Sequence, residues 1–198
     1  WAPDQPRIAL LDACREGERL ATGTPHPDNV APSLLGGIVA CLPRDGEAIE
    51  VVRLPVPQGL AVVVVKPDVT VRTADARAAL PEAVPMADVV ANLASMAGLV
   101  AALAAGDMAL LGRCLEDRVA TPYRKGLIPG YEDAVAAAME AGALGAGISG
   151  SGPTVFALCD GVSVAEGVAD AMVAAFEAHE LACVAHAGPV DPGGARLV

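Results

Sequence analysis

Aromatic side chains and positive charges are both scarce in this sequence. Only 3% of its 198 residues are Phe, Trp or Tyr, and 13 Lys and Arg stand against 24 Asp and Glu, for a formal net charge of -11 at pH 7. Binding to nucleic acid or to an anionic membrane needs an excess of positive charge at the contact surface. The charge balance therefore predicts that neither is a partner. An anionic ligand would need local help from helix ends, glycine amides, a few Arg or Lys and a divalent cation.

The sequence also has no closely spaced cysteines and no long apolar run. Its five cysteines are widely spaced and include no Cys-x-x-Cys motif. Most of them lie in apolar segments, a pattern typical of buried thiols in a reducing compartment. No uninterrupted apolar run reaches the ~18 residues that a membrane-spanning helix needs, and no signal peptide is recognisable. We therefore expect a cytoplasmic protein with no membrane segment.

Apolar residues as a class are abundant. They make up 54% of the chain against 19% charged residues, which predicts a globular chain with one sizeable core or part of two domains. From Leu60 onward the periodicity predicts a strand, several helices, a strand–turn–strand unit, a helix and a final strand. This interleaving is typical of an α+β sandwich. The longest predicted helix spans residues 86–105, and its apolar stripe is expected to face the core: Val89, Leu93, Met96, Val100 and Leu103.

A pair of prolines marks a boundary in the first third of the chain. Two strands with a turn between them are predicted over residues 38–54, and Pro55 and Pro57 follow directly. Proline cannot donate a ladder hydrogen bond and favours turns and linkers. We therefore predict one domain over residues 1–56 and a second over residues 57–198.

The densest glycine cluster is Gly-Ala-Gly-Ile-Ser-Gly-Ser-Gly-Pro-Thr, residues 145–154. Glycine allows positive φ and close approach of another chain or ligand, and successive N–H groups in such a loop can form a concave anion site. Ser149, Gly150, Ser151 and Gly152 are therefore candidates for contact with a nucleotide phosphate. The alternative is that the loop is a scaffold on which another loop packs.

Two segments together resemble one enzyme family. The first is His-Pro-Asp-Asn-Val-Ala-Pro, residues 26–32, with Leu-Leu-Gly-Gly at 34–37, and the second is the loop of residues 147–154. This pairing resembles the homoserine-kinase branch of the GHMP small-molecule kinase superfamily. Arg-Thr-Ala-Asp-Ala-Arg at 72–77 and the segment 121–130, which contains Thr-Pro-Tyr-Arg and Leu-Ile-Pro-Gly, resemble further family segments in the same order. The resemblance thus covers nearly the whole chain.

The resemblance implies a GHMP-kinase fold, with part of its N-terminal domain followed by a ferredoxin-like α/β sandwich C-terminal domain. It also implies a Pro-x-x-x-Gly-Leu-Gly-Ser-Ser loop around the ATP phosphates, upstream of Trp1. The sequence begins without an initiator Met, so we expect a truncated or processed chain: the C-terminal two-thirds of a kinase, inactive alone. The loop 147–154 would then serve mainly as the surface on which that upstream loop packs.

The implied activity is ATP-dependent phosphorylation of the L-homoserine hydroxyl to O-phospho-L-homoserine, a step of threonine biosynthesis. ATP and Mg²⁺ would be the cofactors, L-homoserine the substrate, and a homodimer is left open. One alternative is another GHMP kinase that acts on a sugar or an isoprenoid precursor. A second alternative, of a different class, is a non-catalytic α+β binding module.

The resemblance assigns roles to four residues of the N-terminal part. Glu18, at the end of a helix predicted over residues 5–20, is expected to bind the Mg²⁺ that bridges the ATP phosphates. His26 is expected at the substrate. As catalytic residues, Asp28 would accept a hydrogen bond from the substrate or act as a base, and Asn29 would orient the hydroxyl or the γ-phosphate. Without the resemblance, Glu18 is a solvated helix-end residue, His26 a loop residue, and Asp28 and Asn29 are helix caps.

The resemblance also places two arginines, Arg77 and Arg124, at the substrate. A guanidinium binds a carboxylate through two parallel hydrogen bonds, so a pair of them could hold the carboxylate of an amino acid. Without the resemblance, both are ordinary surface arginines. Lys125, beside Arg124, is expected to be solvated.

Overall fold

Two units build the chain, of which the computed structural model describes residues 6–45 and 48–196. One unit consists of Trp1–Val56 together with Val190–Val198, and the other of Pro57–Pro189. Helices and antiparallel strands occur in both units. The predicted α+β class is therefore confirmed.

The first unit packs two helices on a strand pair. A 3₁₀ turn, Arg7–Leu10, leads into α1, Leu11–Thr22, so regular α-helix begins later than the sequence pattern predicts. Helix α2, Val30–Leu35, precedes two antiparallel strands, β1 (Ile38–Pro43) and β2 (Ile49–Leu54). Two residues of the predicted turn between these strands lie outside the described residues. The core of the unit comes from both helices: Leu11, Ala31, Leu34 and Leu35.

The end of the chain requires a correction, because it does not join the domain predicted over residues 57–198. The Gly37 N–H donates to the Asp191 carbonyl at 2.8 Å, and the Ala195 N–H donates to the Ser33 carbonyl at 2.9 Å. These bonds tie the last segment to the first unit. A close backbone contact makes them feasible, since a Cβ atom on Gly36 would lie 2.4 Å from the Gly194 nitrogen. Only glycine permits such an approach.

The second unit contains a four-stranded antiparallel sheet. Its elements in chain order are β3 Leu60–Pro67, α3 Thr73–Ala78, α4 Met86–Ala105, α5 Met108–Arg113, α6 Thr121–Arg124, α7 Tyr131–Glu140, β4 Gly145–Ile148, β5 Val155–Asp160, α8 Val162–Glu177 and β6 Cys183–Pro189. Four helices, α3 to α6, are inserted between β3 and α7, and the strand order is β4-β5-β3-β6. Without the four inserted helices this is the β-α-β-β-α-β arrangement of the ferredoxin-like fold.

The core of the second unit lies between the sheet and two helices. Strand β3 is internal, paired with β5 on one side and β6 on the other, as its continuous apolar run predicts. Its alternate residues Val63 and Val65 are fully buried and share one cluster with Val155 of β5 and with Met172 and Phe176 of α8. Helix α7 adds small residues to the same cluster. The sheet therefore holds the segments at its ends in defined positions.

Helix α4 has the predicted bounds but not the predicted orientation. Leu103 is buried, whereas Leu93 is 66% exposed and Met96 is 56% exposed. The helix contacts its neighbours through smaller residues: a Cβ on Gly98 would lie 2.6 Å from the Cys114 sulfur. Because α4 is apolar on nearly every side, its periodicity does not show which side faces the protein.

By length and composition alone, α4 is the one helix among the described residues that could cross a membrane. Only 11% of its most apolar 18-residue window is buried. A single helix of this kind is weak support for a membrane location, because helices of soluble proteins meet the same criterion. The expected absence of a membrane partner stays a prediction.

Candidate functional site

The glycine cluster forms the tip of the hairpin between β4 and β5. The Ser149 N–H donates to the Thr154 carbonyl at 2.8 Å, and the Gly152 N–H donates to the Ser149 carbonyl at 3.0 Å. Gly150 and Gly152 have φ values of +60° and +84°, a region that side-chain-bearing residues avoid. Since the Gly152 amide is used inside the turn, it does not point at a ligand. The expected contact of residues 149–152 with a nucleotide stays a prediction.

Alanine at the two glycines should separate backbone conformation from packing. We expect Gly150→Ala to lower the free energy of unfolding by about 1–2 kcal/mol, the cost of the left-handed region for an L-residue. A Cβ on Gly150 would meet nothing within 4 Å, whereas one on Gly152 would lie 2.9 Å from Cδ1 of Ile128. Gly152→Ala should therefore cost more than Gly150→Ala. Urea unfolding measures both, and equal losses would contradict this packing at Gly152.

Arg124 joins three segments of the second unit. Its Nε donates to the Ala76 carbonyl of α3 at 3.2 Å, and its Nη1 donates to the Gly150 carbonyl of the hairpin at 3.1 Å. Within the described residues these bonds use two of the five guanidinium hydrogens. The other three hydrogens, one on Nη1 and two on Nη2, can still donate to a carboxylate. Since the Ala76 carbonyl accepts a hydrogen bond from Arg124, the backbone of Arg77, the next residue of α3, also lies near Arg124.

The neighbouring cation, Lys125, is paired elsewhere. Its Nζ lies 2.6 Å from Oε1 of Glu132, and Nε2 of His179 lies 2.6 Å from Oδ2 of Asp133. These residues line a surface cavity of about 440 Å³ together with Tyr123. Lys125 is thus half-buried in an ion pair rather than simply solvated. Arg124 is the cation of this loop that contacts the glycine hairpin.

Asp117, which the sequence reasoning missed, organises the turn that carries Arg124. Its carboxylate accepts hydrogen bonds from the backbone N–H groups of Val119 at 2.8 Å, Ala120 at 3.1 Å and Thr121 at 2.7 Å, and from the Thr121 hydroxyl at 3.0 Å. Burial acts to raise the pKa of Asp117, but these hydrogen bonds outweigh it and hold the pKa below its ordinary value. The sequence signal was an Asp four residues before a helix start marked by Thr-Pro.

The loop around His26 is held by a buried arginine. Arg15, only 6% exposed, donates from Nε to the Pro25 carbonyl at 3.2 Å and from Nη1 to Oδ1 of Asp12 at 3.0 Å. His26 itself is exposed, and its backbone N–H donates to the Thr24 carbonyl at 3.0 Å. Sequence reasoning missed Arg15 as well. Its signal was a cation at an inward-facing position of α1.

Asp28 and Asn29 stand at the start of α2, and both are exposed. In the described part of the chain, Asn29 makes no capping bond through its side chain, while its carbonyl accepts from the Ser33 hydroxyl at 2.7 Å. The pKa of the Cys41 thiol is raised by burial and also by the charge of Asp28, an effect that Arg15 partly offsets. Asp28 therefore lies close enough to Cys41 to act on it electrostatically. The catalytic roles of Asp28 and Asn29 stay predictions.

Glu18 is half-buried on α1. Among the described residues no three His, Cys, Asp or Glu side chains form a group that could hold a metal ion. Mg²⁺ usually takes only one or two protein carboxylates and fills its other positions with phosphate oxygens and water. A single carboxylate is compatible with that habit, and the assignment of Glu18 as a metal ligand stays a prediction.

Comparison with known proteins finds matches to kinases of this kind. Residues 99–178 match the family described as GHMP kinases C terminal. The chain is 48% identical to a homoserine kinase of Moorella thermoacetica over 158 residues and 37% identical to one of Chlorobium phaeobacteroides over 194 residues. Those alignments cover 80% and 97% of this chain, and 52% and 60% of the relatives. The chain thus spans little more than half the length of the curated relatives that it matches.

Solved structures of kinases also superpose on the chain. The crystal structure of a homoserine kinase from Cytophaga hutchinsonii superposes with a TM-score of 0.92 at 40% identity, covering 98% of this chain and 61% of that one. A mevalonate kinase of L. major in complex with R-mevalonate superposes with a TM-score of 0.73 at 20% identity, covering 97% of this chain and 60% of that one. The second likeness concerns the fold only. The predicted GHMP-kinase fold is confirmed.

Proposed function

We propose that the protein transfers the γ-phosphoryl group of ATP to the hydroxyl of L-homoserine. The proposal is supported by the similarity of the chain to homoserine kinases and by its match to the GHMP kinase C-terminal family. The product is O-phospho-L-homoserine, which a biosynthetic route to threonine consumes. The observation that carries the proposal is the 40% identity and TM-score of 0.92 with a homoserine kinase over 98% of the chain. All five cysteines are free thiols, which supports a cytoplasmic location.

Phosphoryl transfer needs accurate positioning and charge neutralisation more than covalent chemistry by the protein. In this proposal Arg124 binds the homoserine carboxylate through the guanidinium hydrogens that are not engaged with the Ala76 and Gly150 carbonyls. Arg77, adjacent to Ala76, supplies the second cation. Because two carbonyls already hold the guanidinium, Arg124 loses less side-chain freedom on binding than a mobile arginine would. Its contact with the carboxylate therefore contributes more to affinity than that of a mobile arginine.

The proposal also gives roles to residues of the first unit. His26 binds homoserine, Asp28 accepts a hydrogen bond from it, and Asn29 orients the hydroxyl. The loose transition state of phosphoryl transfer places little demand on early deprotonation, so Asp28 need not act as a base. Glu18 would hold Mg²⁺, which would supply charge neutralisation for the ATP phosphates.

Substrate choice follows from the charges. Galactose has no carboxylate for Arg77 and Arg124, and mevalonate has a carboxylate but no ammonium group for an acidic side chain such as Asp28. Homoserine has both groups. The proposal therefore expects homoserine to be the substrate, ahead of the sugar and the isoprenoid precursor.

A direct assay tests this choice. The protein, as its gene encodes it, is incubated with ATP and Mg²⁺ and with homoserine, mevalonate or galactose, while ADP and the phosphorylated product are measured. We expect ADP release and O-phosphohomoserine with homoserine alone. Turnover of mevalonate or galactose without turnover of homoserine would reject the proposal in favour of another GHMP kinase. No turnover of any of the three would favour a non-catalytic binding module.

A further inference from the structure

The turn that carries Arg124 has little stability of its own. Helix α6 is four residues long, and a single helical turn is unfavourable in isolation because its nucleation orders several residues for one hydrogen bond. Its first residue, Thr121, follows a segment without regular structure that begins after α5. Something other than helix propensity must therefore define the direction in which Arg124 leaves the backbone.

The carboxylate of Asp117 meets that need. It accepts from the N–H groups of Val119, Ala120 and Thr121 and from the Thr121 hydroxyl, at 2.7 to 3.1 Å. A carboxylate that gathers successive amides ahead of a helix fixes the backbone there, as an N-cap does. Arg124 lies one turn further on, and its backbone N–H donates to the Ala120 carbonyl at 3.1 Å. Asp117 and Arg124 thus hold the two ends of one short turn.

We propose that Asp117 is a positioning residue for Arg124: it preforms the turn so that the guanidinium reaches the Ala76 and Gly150 carbonyls and presents its remaining hydrogens to the substrate carboxylate. Asp117 touches no reacting atom. The identity of the ligand rests on the proposed function, but the link between Asp117 and Arg124 does not.

Asp107 provides a matched control. It is also an aspartate in front of a short helix of the same unit, where it accepts from the Leu110 N–H at 2.8 Å. It caps α5, whereas the turn that carries Arg124 is α6. Asp117→Ala and Asp107→Ala therefore each remove one capping carboxylate, and only the first should affect Arg124.

Hydrogen exchange in the protein as its gene encodes it tests the link without any assay of activity. In Asp117→Ala we expect exchange at least tenfold faster for the Val119 and Thr121 amides and for the Arg124 Nε–H, because the bonds that protect them are lost. Asp107→Ala should leave all three within twofold of the wild type. Unchanged exchange at Arg124 Nε–H in Asp117→Ala would overturn the proposal.

Kinetics of the protein as its gene encodes it test the consequence. Asp117→Ala should raise the KM for homoserine about tenfold, the effect of losing well-formed hydrogen bonds to a charged group, with the KM for ATP within twofold. Asp117→Asn, which keeps one acceptor oxygen, should be intermediate. In a background of Arg124→Leu the Asp117→Ala change should add no further effect, since it acts through Arg124.

The outcomes are distinguishable. A homoserine KM that rises equally in Asp107→Ala, or an additive effect of Asp117→Ala and Arg124→Leu, overturns the positioning role. If the wild-type protein does not phosphorylate homoserine, the proposed function fails, and the exchange at Arg124 Nε–H still decides whether Asp117 positions it.

Discussion

Arg124→Leu is expected to lower kcat/KM for homoserine by about 30- to 1000-fold, which corresponds to the ~2–4 kcal/mol of a bidentate charged contact. Leucine cannot bind the substrate carboxylate, so we expect a higher KM for homoserine and a lower kcat. It also leaves the carbonyls of Ala76 and Gly150 without the guanidinium donors that they have in the structure. The KM for ATP should change little. Steady-state rates of the protein as its gene encodes it, with each substrate varied in turn, provide the measurement.

Arg113→Leu is the matched control for this change. Arg113 is exposed at the end of α5, and its guanidinium donates to the Ala109 carbonyl of the same helix at 3.1 Å. Its replacement should leave kcat/KM within about twofold, as for most surface substitutions. An unaltered kcat/KM in Arg124→Leu would show that Arg124 is not at the substrate. Equal losses in Arg124→Leu and Arg113→Leu would point to a general effect of removing charge.

Gly36→Ala is expected to cause the largest loss of stability, about 3 kcal/mol or more in the free energy of unfolding. Its φ is +77°, and a Cβ there would lie 2.4 Å from the Gly194 nitrogen and 2.7 Å from the Pro192 carbonyl carbon. These neighbours are backbone atoms, which cannot turn aside as a side chain can. The hydrogen bond from Gly37 to Asp191 would be lost as the segments separate.

Gly17→Ala provides the opposite case within the same unit. Gly17 lies inside α1, and a Cβ there would meet nothing within 4 Å. Alanine should raise the stability by about 0.5–1 kcal/mol, because it loses less backbone freedom on folding than glycine. Urea unfolding followed by far-ultraviolet circular dichroism compares both variants with the wild type. A loss below about 1 kcal/mol in Gly36→Ala would contradict the close backbone contact.

Much of the architecture could be predicted because it depends on local patterns. The apolar run of β3 predicts an internal strand, and the glycine density at residues 145–154 predicts a tight turn with positive φ values. Both signals are local, because the burial of a strand and the conformational freedom of glycine depend on the residue types within a short segment. The bounds of helix α4 were predicted correctly for the same reason, but the side on which the helix packs was predicted wrongly.

The arrangement of the candidate site depended on contacts between distant segments. No periodicity or motif indicates that the Gly37 N–H donates to the Asp191 carbonyl. That hydrogen bond requires two distant backbone segments to meet at Gly36 and Gly194. Neither does any local pattern indicate that Arg124 reaches the Ala76 and Gly150 carbonyls, or that Arg15 supports the Pro25 carbonyl from inside α1. These polar bonds join elements that the chain brings together only when apolar cores form.

The sequence by itself therefore determined the α+β class, the order of most elements and the resemblance of its motifs to those of GHMP kinases. These features follow from local conformational preference and from residue types at fixed spacing. Only the tertiary structure decided that the last segment belongs to the first unit, that α4 leaves large apolar residues exposed, and that Asp117 and Arg124 hold one turn. Such features depend on which surfaces meet in space, and long-range contacts of this kind leave no periodic signal in a single sequence.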